Sequence, residues 1–404
     1  MRLFNTLTRR KETWQPGRDV SLYVCGVTPY DTTHVGHART YLTFDVLVRW
    51  LLRRGHRVRY VQNVTDVDDS ILARAAELGV GHEELHHRYT AVYMDDIAAL
   101  GMVPAMEYPT ATSGIPEIQV VIGRLIESGH AYVVDGDVFY RVGSSASFGA
   151  LSRLDRAQMM DIEAGQDGST IDDTRKEDPL DFPLWRAARP GEPRWASPWG
   201  PGRPGWHIEC STLVLKHLGV QIDVHGGGSD LVYPHHECEI VQSEAVTGVQ
   251  PFARMWMHVA MVLLDGAKMS KSDGNLVFVR DLLARYTADA VRIYLLSTHY
   301  RTELGFDEAE LARCAEVGAR IARAATGRVK RTGGGEVEAT GRRGPFDVAL
   351  ADDLNTPRAI AAMTELSDAI HAGNEAGKAT FSAQRQLRLM ASALGLQLEE
   401  HRAS

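Results

Sequence analysis

Hydrophobic and polar positions change their period several times along the chain, and each change predicts an element. Ser21-Leu22-Tyr23-Val24 is a short apolar run of the kind that forms a strand buried on both faces. From about Ala38 to Arg54 the spacing becomes helical, with Leu42, Val46, Leu47, Trp50 and Leu51 sharing one face. Gly55 closes that helix, and Val58-Arg59-Tyr60-Val61 follows as a short strand. Strand, helix and strand joined by close turns predict a parallel pair with a right-handed crossover, the unit of a doubly wound α/β sheet.

Residues 1–115 are read as the first half of that sheet. The pattern breaks over 116–200, where an opening helix gives way to a stretch rich in Gly, Asp, Pro and Trp, as expected of an insertion. Sheet-like runs return at Gln221-Ile222-Asp223-Val224 and Met255-Trp256-Met257-His258-Val259, so 201–265 is read as the second half. A loop and a helical region fill 266–326, with helix dominating after Ala288. Residues 327–345, glycine-rich and ending in Gly344-Pro345, predict a linker. The Ala- and Leu-rich stretch after 346, within a last unit of 346–404, predicts a bundle of two or three helices.

Composition narrows the class without naming it. The 404 residues are 44% hydrophobic and 24% charged, as in soluble globular proteins, and suffice for two or three domains. No run of about 18 apolar residues suggests a membrane span, and Met1-Arg2-Leu3-Phe4 does not resemble a signal peptide. Four cysteines in so long a chain are no disulfide framework, so a reducing, cytoplasmic setting is expected. A net charge of −8 offers nucleic acid no general attraction, and an RNA contact would need a local basic surface.

Three groups of residues carry chemistry. His34-Val35-Gly36-His37 falls between a strand and a helix N-terminus, where free N–H groups and the helix dipole favour a phosphate. Gly36 lets a nucleotide approach the backbone, and two imidazoles three apart can donate to a phosphoryl group as its charge grows. Lys268-Met269-Ser270-Lys271-Ser272, followed by Asp273-Gly274-Asn275, describes a loop able to clamp a polyphosphate. Singly, each has a plain alternative, a helix start with solvated histidines or a basic surface loop. The third group is Cys25, Cys210, His235 and Glu239, whose sulfur, nitrogen and carboxylate donors make a reasonable zinc shell beside the nucleotide motif and point to a thiol-bearing substrate.

With these residues in view, the chain resembles the class I aminoacyl-tRNA synthetases, and among them the cysteinyl family. The resemblance is carried by Tyr23 to Tyr30, His34 to Arg39, Asn63 to Asp69, Gly205 to Cys210, His225 to Asp230 and the 268–272 loop, and it spans about residues 20 to 395. It implies a Rossmann-like catalytic domain and ATP-dependent conversion of L-cysteine to cysteinyl-adenylate, with Mg2+, followed by transfer to the 3′ end of tRNA(Cys). By the same resemblance His34 and His37 stabilise the α-phosphate, Lys268 and Lys271 hold the outer phosphates, and Gly226, Gly227, Gly228 and Asp230 run beside the adenosine. Thr65 and Trp206 are similar to residues lining the amino-acid pocket, although core packing is an equal reading for Trp206. One zinc per chain is implied on Cys25, Cys210, His235 and Glu239. Zinc prefers thiolate to hydroxyl at its open position, which separates cysteine from serine without an editing site. A monomer is expected.

The acceptor has two readings. The chain stops near Glu399-Glu400, about where the anticodon-binding domain of the cysteinyl enzymes would begin. In that it resembles a shorter relative, the mycothiol-pathway ligase, which joins cysteine to glucosaminyl-inositol. Tyr41 to Asp45 and Gly274 to Val279 lean the same way, whereas Arg39, His225, Glu239, Asp178 to Trp185 and Ser297 to Arg301 match the tRNA enzymes. The tRNA acceptor is the preferred expectation; a non-catalytic paralogue is disfavoured by two intact phosphate motifs. Cys238 and Cys314 read as packed residues, and His236 as support for a neighbour. Asp66, Asp68 and Asp69 read as caps or ion pairs, and Arg186, Arg189 and Arg203 as a local basic face.

Overall fold

The apolar run at 21–24 is the centre of a longer strand, Asp19–Val27 (β1), buried through its middle. Arg57–Val64 (β2) lies parallel on one side, Ile222–Gly228 (β3) on the other, and Ala253–Val259 (β4) beyond β3. This is a computed structural model, describing residues 1–269, 276–327, 335–338 and 340–398. The order β4-β3-β1-β2 means that the chain winds one way from β1 and the other way from β3. Between those two strands the crossovers diverge, leaving a crevice at their carboxyl ends, the usual ligand position in open α/β sheets.

The crossover helix Val35–Arg53 (α1) starts three residues earlier than its periodicity predicts, because His34 caps it. His34 keeps an extended backbone and its Nδ1 accepts the Gly36 N–H at 3.1 Å, satisfying one of the orphan donors of the first turn. The predicted apolar face is buried, and Phe44 on the same helix reaches β3. A Cβ on Gly226 would sit 2.1 Å from Phe44 Cζ, so the strand meets the helix only through glycine.

Composition predicts an insertion here, and the structure folds much of it around a second sheet. After the helix Ile115–Glu127, strands Ala131–Val134, Asp137–Tyr140, Phe182–Ala187 and Gly202–Pro204 pair antiparallel in that order. The first two strands join in a tight hairpin at Asp135-Gly136, but the later two hold Pro183 and Pro204, and Phe182–Ala187 pairs far back in sequence with Asp137–Tyr140, so no local alternation announces the sheet as a whole. The sheet packs on Trp206–His217 (α2) and Glu237–Thr247 (α3) through its own core, which includes Ile118, Tyr140, Leu184, Ile208 and Val241.

The bundle comprises Thr340–Ala351, Thr356–Glu375 and Phe381–Ala393. Its first helix begins inside the expected linker; residues 328–334 and 339 lie outside the described set. A single core joins it to α1 through Leu47, Trp50, Phe346, Leu350, Leu387 and Met390. Arg292, fully buried, crosses that junction, donating to the Asp45 carboxylate and to the carbonyls of Leu100 and Leu394. Among the described residues no helix is long and apolar enough to cross a membrane.

Candidate active site and metal centre

A cleft of about 450 Å³ opens at the carboxyl ends of β1 and β3. Its floor is made by Cys25 from β1, Cys210 from α2, and His235 from the turn leading into α3. Glu239, in the first turn of α3, lies beneath them and is fully buried.

The four predicted ligands converge. Cys25 Sγ is 3.8 Å from Cys210 Sγ and 3.5 Å from Glu239 Oε1, and His235 Nε2 is 3.1 Å from the same oxygen. Bonds of about 2.3 Å to sulfur and about 2.0 Å to nitrogen or oxygen give tetrahedral edges of about 3.8, 3.5 and 3.3 Å, so the spacing suits one ion held by all four. A disulfide would need sulfurs about 2.05 Å apart. Cys25, His225, His236 and Glu239 form a second group whose donor atoms lie within 4.8 Å of one another. Only Cys25 of that set opens to the cleft, whereas three of the predicted set do. His225 Nε2 instead sits 2.9 Å from Glu239 Oε2, and His236 Nδ1 sits 2.7 Å from His258 Nε2. Both have the placement of groups that orient ligands from behind, the part foreseen for His236.

Burial sets the charge of this floor. It raises the Cys25 thiol far above its ordinary range, pushes Cys210 up to about 12, and holds His235 and His236 well below the usual imidazole range. Two protonated thiols and neutral imidazoles around a buried carboxylate are a donor set that a cation completes by displacing the thiol protons.

The expected phosphate end lies at the start of α1. His34 and His37 stack with ring centroids 3.8 Å apart. A Cβ on Gly36 would press within 2.8 Å of the His34 ring, which accounts for glycine between them. Because His34 Nδ1 accepts from Gly36, its neutral form carries the proton on Nε2. Burial lowers His37 to about 4, so it is neutral at physiological pH. Lys271 lies outside the described residues, and Lys268 is described only as backbone ending the short strand Ala267–Lys268. Both described flanks of that loop, Met269 and Leu276, line the cleft. Val277 O accepts the Val35 N–H, which draws the returning chain onto the start of α1.

The glycine run divides. Gly228 and Asp230 line the cleft, but Gly226 faces Phe44, and a Cβ on Gly227 would sit 2.7 Å from Leu231 Cδ1. Packing, rather than approach to a nucleoside, explains those two. Trp206 is half-exposed in the cleft and stacks on His235 at 4.3 Å, so it is not simple core. The acidic stretch is already committed: Asp66 accepts from Thr112, Asp68 caps the helix Asp69–Leu78, and Asp69 pairs with Arg203 and Arg186. These pairings, with Glu192 also on Arg203, remove two arginines from the expected basic face. Cys238 and Cys314 are buried in the apolar cores.

Three residues to which sequence reasoning gave no role in the site complete it. Arg39, buried one turn into α1, donates to the carbonyls of Ala260, Met261, His299 and Thr302, at distances of 2.6 to 3.1 Å. Ala260 and Met261 wall the cleft, so Arg39 fixes that wall to the His34–His37 turn. Glu209 and Asn63 are both buried, and Asn63 Nδ2 donates to Glu209 Oε1 at 2.7 Å. Burial pushes the Glu209 carboxyl up to about 8. A charged residue in the first turn of a helix and beside a predicted ligand was the available signal.

Comparison with known proteins agrees with this geometry. Residues 12–316 match the family described as tRNA synthetases class I (C) catalytic domain, and 345–399 match the DALR domain. A cysteine–tRNA ligase of Dehalococcoides mccartyi is 44% identical over 98% of this chain and 87% of its own length. That of Pelotomaculum thermopropionicum is 46% identical over 96% and 81%. Two solved structures share the fold at low identity. A Mycobacterium tuberculosis methionyl-tRNA synthetase in complex with methionyl-adenylate has a TM-score of 0.65 at 16% identity, covering 93% of this chain and 89% of that one. An Agrobacterium radiobacter LeuRS in a ternary complex has 0.67 at 13%, covering 96% and 85%. The chain belongs to the cysteine–tRNA ligase family of class I tRNA synthetases.

Proposed function

We propose that the chain activates L-cysteine with ATP in this cleft and transfers it to the 3′ end of tRNA(Cys). The cysteine carboxylate attacks the α-phosphorus and releases pyrophosphate; a terminal tRNA hydroxyl then attacks the acyl carbon and releases AMP. The observation that carries this reading is the cleft floor, where Cys25, Cys210 and His235 face the substrate space and Glu239 lies behind. We assign these four a zinc ion, one per chain, which would supply a coordination position that prefers a thiolate to a hydroxyl.

The chain's own residues do the rest. His34 and His37, stacked at the start of α1, donate N–H to the α-phosphate as negative charge gathers there. Lys268 and Lys271 hold the outer phosphates, Gly36, Gly228 and Asp230 border the nucleotide, and Mg2+ enters with the triphosphate. Thr65 and Trp206 border the amino acid, Trp206 by stacking on His235. Activity of a soluble monomer in the cytoplasm belongs to the same reading.

The test is an acceptor competition on the preformed adenylate. Cysteine-dependent ATP–pyrophosphate exchange with transfer to tRNA(Cys) is expected. Robust exchange with an amide product on glucosaminyl-inositol and no charged tRNA would replace this acceptor by the sugar.

A further inference from the structure

Glu209 is a fully buried carboxylate near the cleft, and its partners among the described residues are all neutral. It is 1% exposed and sits in the first turn of α2, next to Cys210. Thr65 Oγ1 donates to both its oxygens, at 3.0 and 2.9 Å, and Asn63 Nδ2 donates to Oε1 at 2.7 Å. The helix terminus favours a negative charge there, but no cation pairs with it.

The donors in turn are oriented. The Gly26 N–H, next to Cys25, donates to Asn63 Oδ1 at 2.8 Å, which turns the Asn63 amide nitrogen toward Glu209. A Cβ on Gly26 would sit 1.6 Å from the Asn63 carbonyl oxygen, so this approach needs glycine. Thr65 spends its only proton on Glu209 and accepts from Asn63 at 3.2 Å. A hydroxyl has two acceptor positions, and the remaining one belongs to a side chain that lines the cleft. Thr65 therefore meets a ligand as an acceptor only, with an unpaired carboxylate immediately behind it. A group rich in donors and positively charged is what such a position takes.

Resting on the reading that this cleft activates cysteine, we infer that Glu209 is a positioning and specificity-determining residue. It fixes Thr65 as the acceptor for the α-ammonium group of the substrate, and the substrate supplies the positive charge that Glu209 lacks. Sulfur would then be recognised on the floor and the ammonium on the side wall, by separate groups.

Two thiol probes separate these contacts in the full chain. Cysteamine keeps the thiol and ammonium, and 3-mercaptopropionate keeps the thiol and carboxylate. Each is measured as a competitor of cysteine in ATP–pyrophosphate exchange and by calorimetry. Glu209→Gln should raise the KM for cysteine and the inhibition constant of cysteamine about tenfold, with 3-mercaptopropionate changed less than about twofold. Glu209→Asp should recover part of the loss. Thr65→Val, which keeps the shape and leaves Glu209 its Asn63 contact, should give the same split if Glu209→Gln does not fold. Equal weakening of both probes, or unchanged cysteamine binding in Thr65→Val, would overturn the inference. No cysteine-dependent exchange by the unaltered chain would instead overturn the reading beneath it, and that result is seen before any substitution is made.

Discussion

Gly226→Ala tests whether the glycine run serves the nucleotide or the frame. The added Cβ would stand 2.1 Å from Phe44 Cζ and 2.3 Å from Cε1, where carbon atoms rest at about 3.5–4.0 Å. The helix and strand must part by about 1.5 Å, because Phe44 is fully buried and has no room to swing aside. Overpacking of this kind costs about 1–3 kcal/mol. The helix displaced is the one that carries His34 and His37, and a misplacement near 1 Å costs roughly a hundredfold in rate. Urea unfolding and cysteine-dependent exchange are the assays, each repeated with Phe44→Leu, which removes the clashing ring atoms. The double variant should be about 1 kcal/mol more stable than Gly226→Ala and recover at least tenfold in activity, a coupling expected only between touching groups. Gly228→Ala supplies the contrast, since its Cβ would meet only the carboxylate end of Asp230 at 2.5 Å, and stability should hold while ATP use suffers. Additive effects of Gly226→Ala and Phe44→Leu, or an unperturbed Gly226→Ala, would refute the packing account.

Other expectations come from the same coordinates. Arg39→Met removes the buried charged donor from the carbonyls of Ala260, His299 and Thr302, and should cost about 1–3 kcal/mol of stability. Arg39→Lys, if folded, should raise the KM for ATP more than that for cysteine, and an equal rise would remove Arg39 from the nucleotide wall. Cys210→Ser should leave less than one metal ion per chain by elemental analysis and lower cysteine activation at least a hundredfold; near-normal activation would break the metal assignment. Burial depresses His258 and His207 to about 3 and His37 to about 4, below the ordinary value of 6.5. Protons therefore bind the unfolded chain more readily, and stability is intact above about pH 6.5 and lost as pH falls toward 4 and then 3. Each group contributes a slope of up to about 1.4 kcal/mol per pH unit, so a urea midpoint unchanged from pH 7 to 4.5 would contradict it.

The central sheet and α1 were legible because their signals are local: an apolar run, a helical stripe, a closing glycine. The buried cluster of Cys25, Cys210, His235 and Glu239 was legible because its residue types are rare and chemically specific, although they lie far apart in the chain. The antiparallel sheet of the insertion was not, since its strands are short, two of them hold proline, and Phe182–Ala187 pairs far back in sequence with Asp137–Tyr140. Arg39 and Glu209 escaped for a related reason. Their roles depend on backbone carbonyls and neutral side chains brought together by folding, and no residue type in sequence announces a carbonyl. The glycine run is ambiguous in sequence because glycine answers equally to a close ligand and to a close side chain, and the packing of Gly226 on Phe44 is visible only in the folded chain.

Arg292 bears on how such a chain can be altered. Held by Asp45 and by the Leu394 carbonyl, it makes the last three helices a brace for the catalytic half. A fragment cut after residue 326 would present a bare apolar wall to water and open a sealed charge pair. Searches for a minimal active piece should therefore end at the last helix, and Asp45 and Arg292 should be exchanged together or left alone. The tail and α1 are inherited as one object.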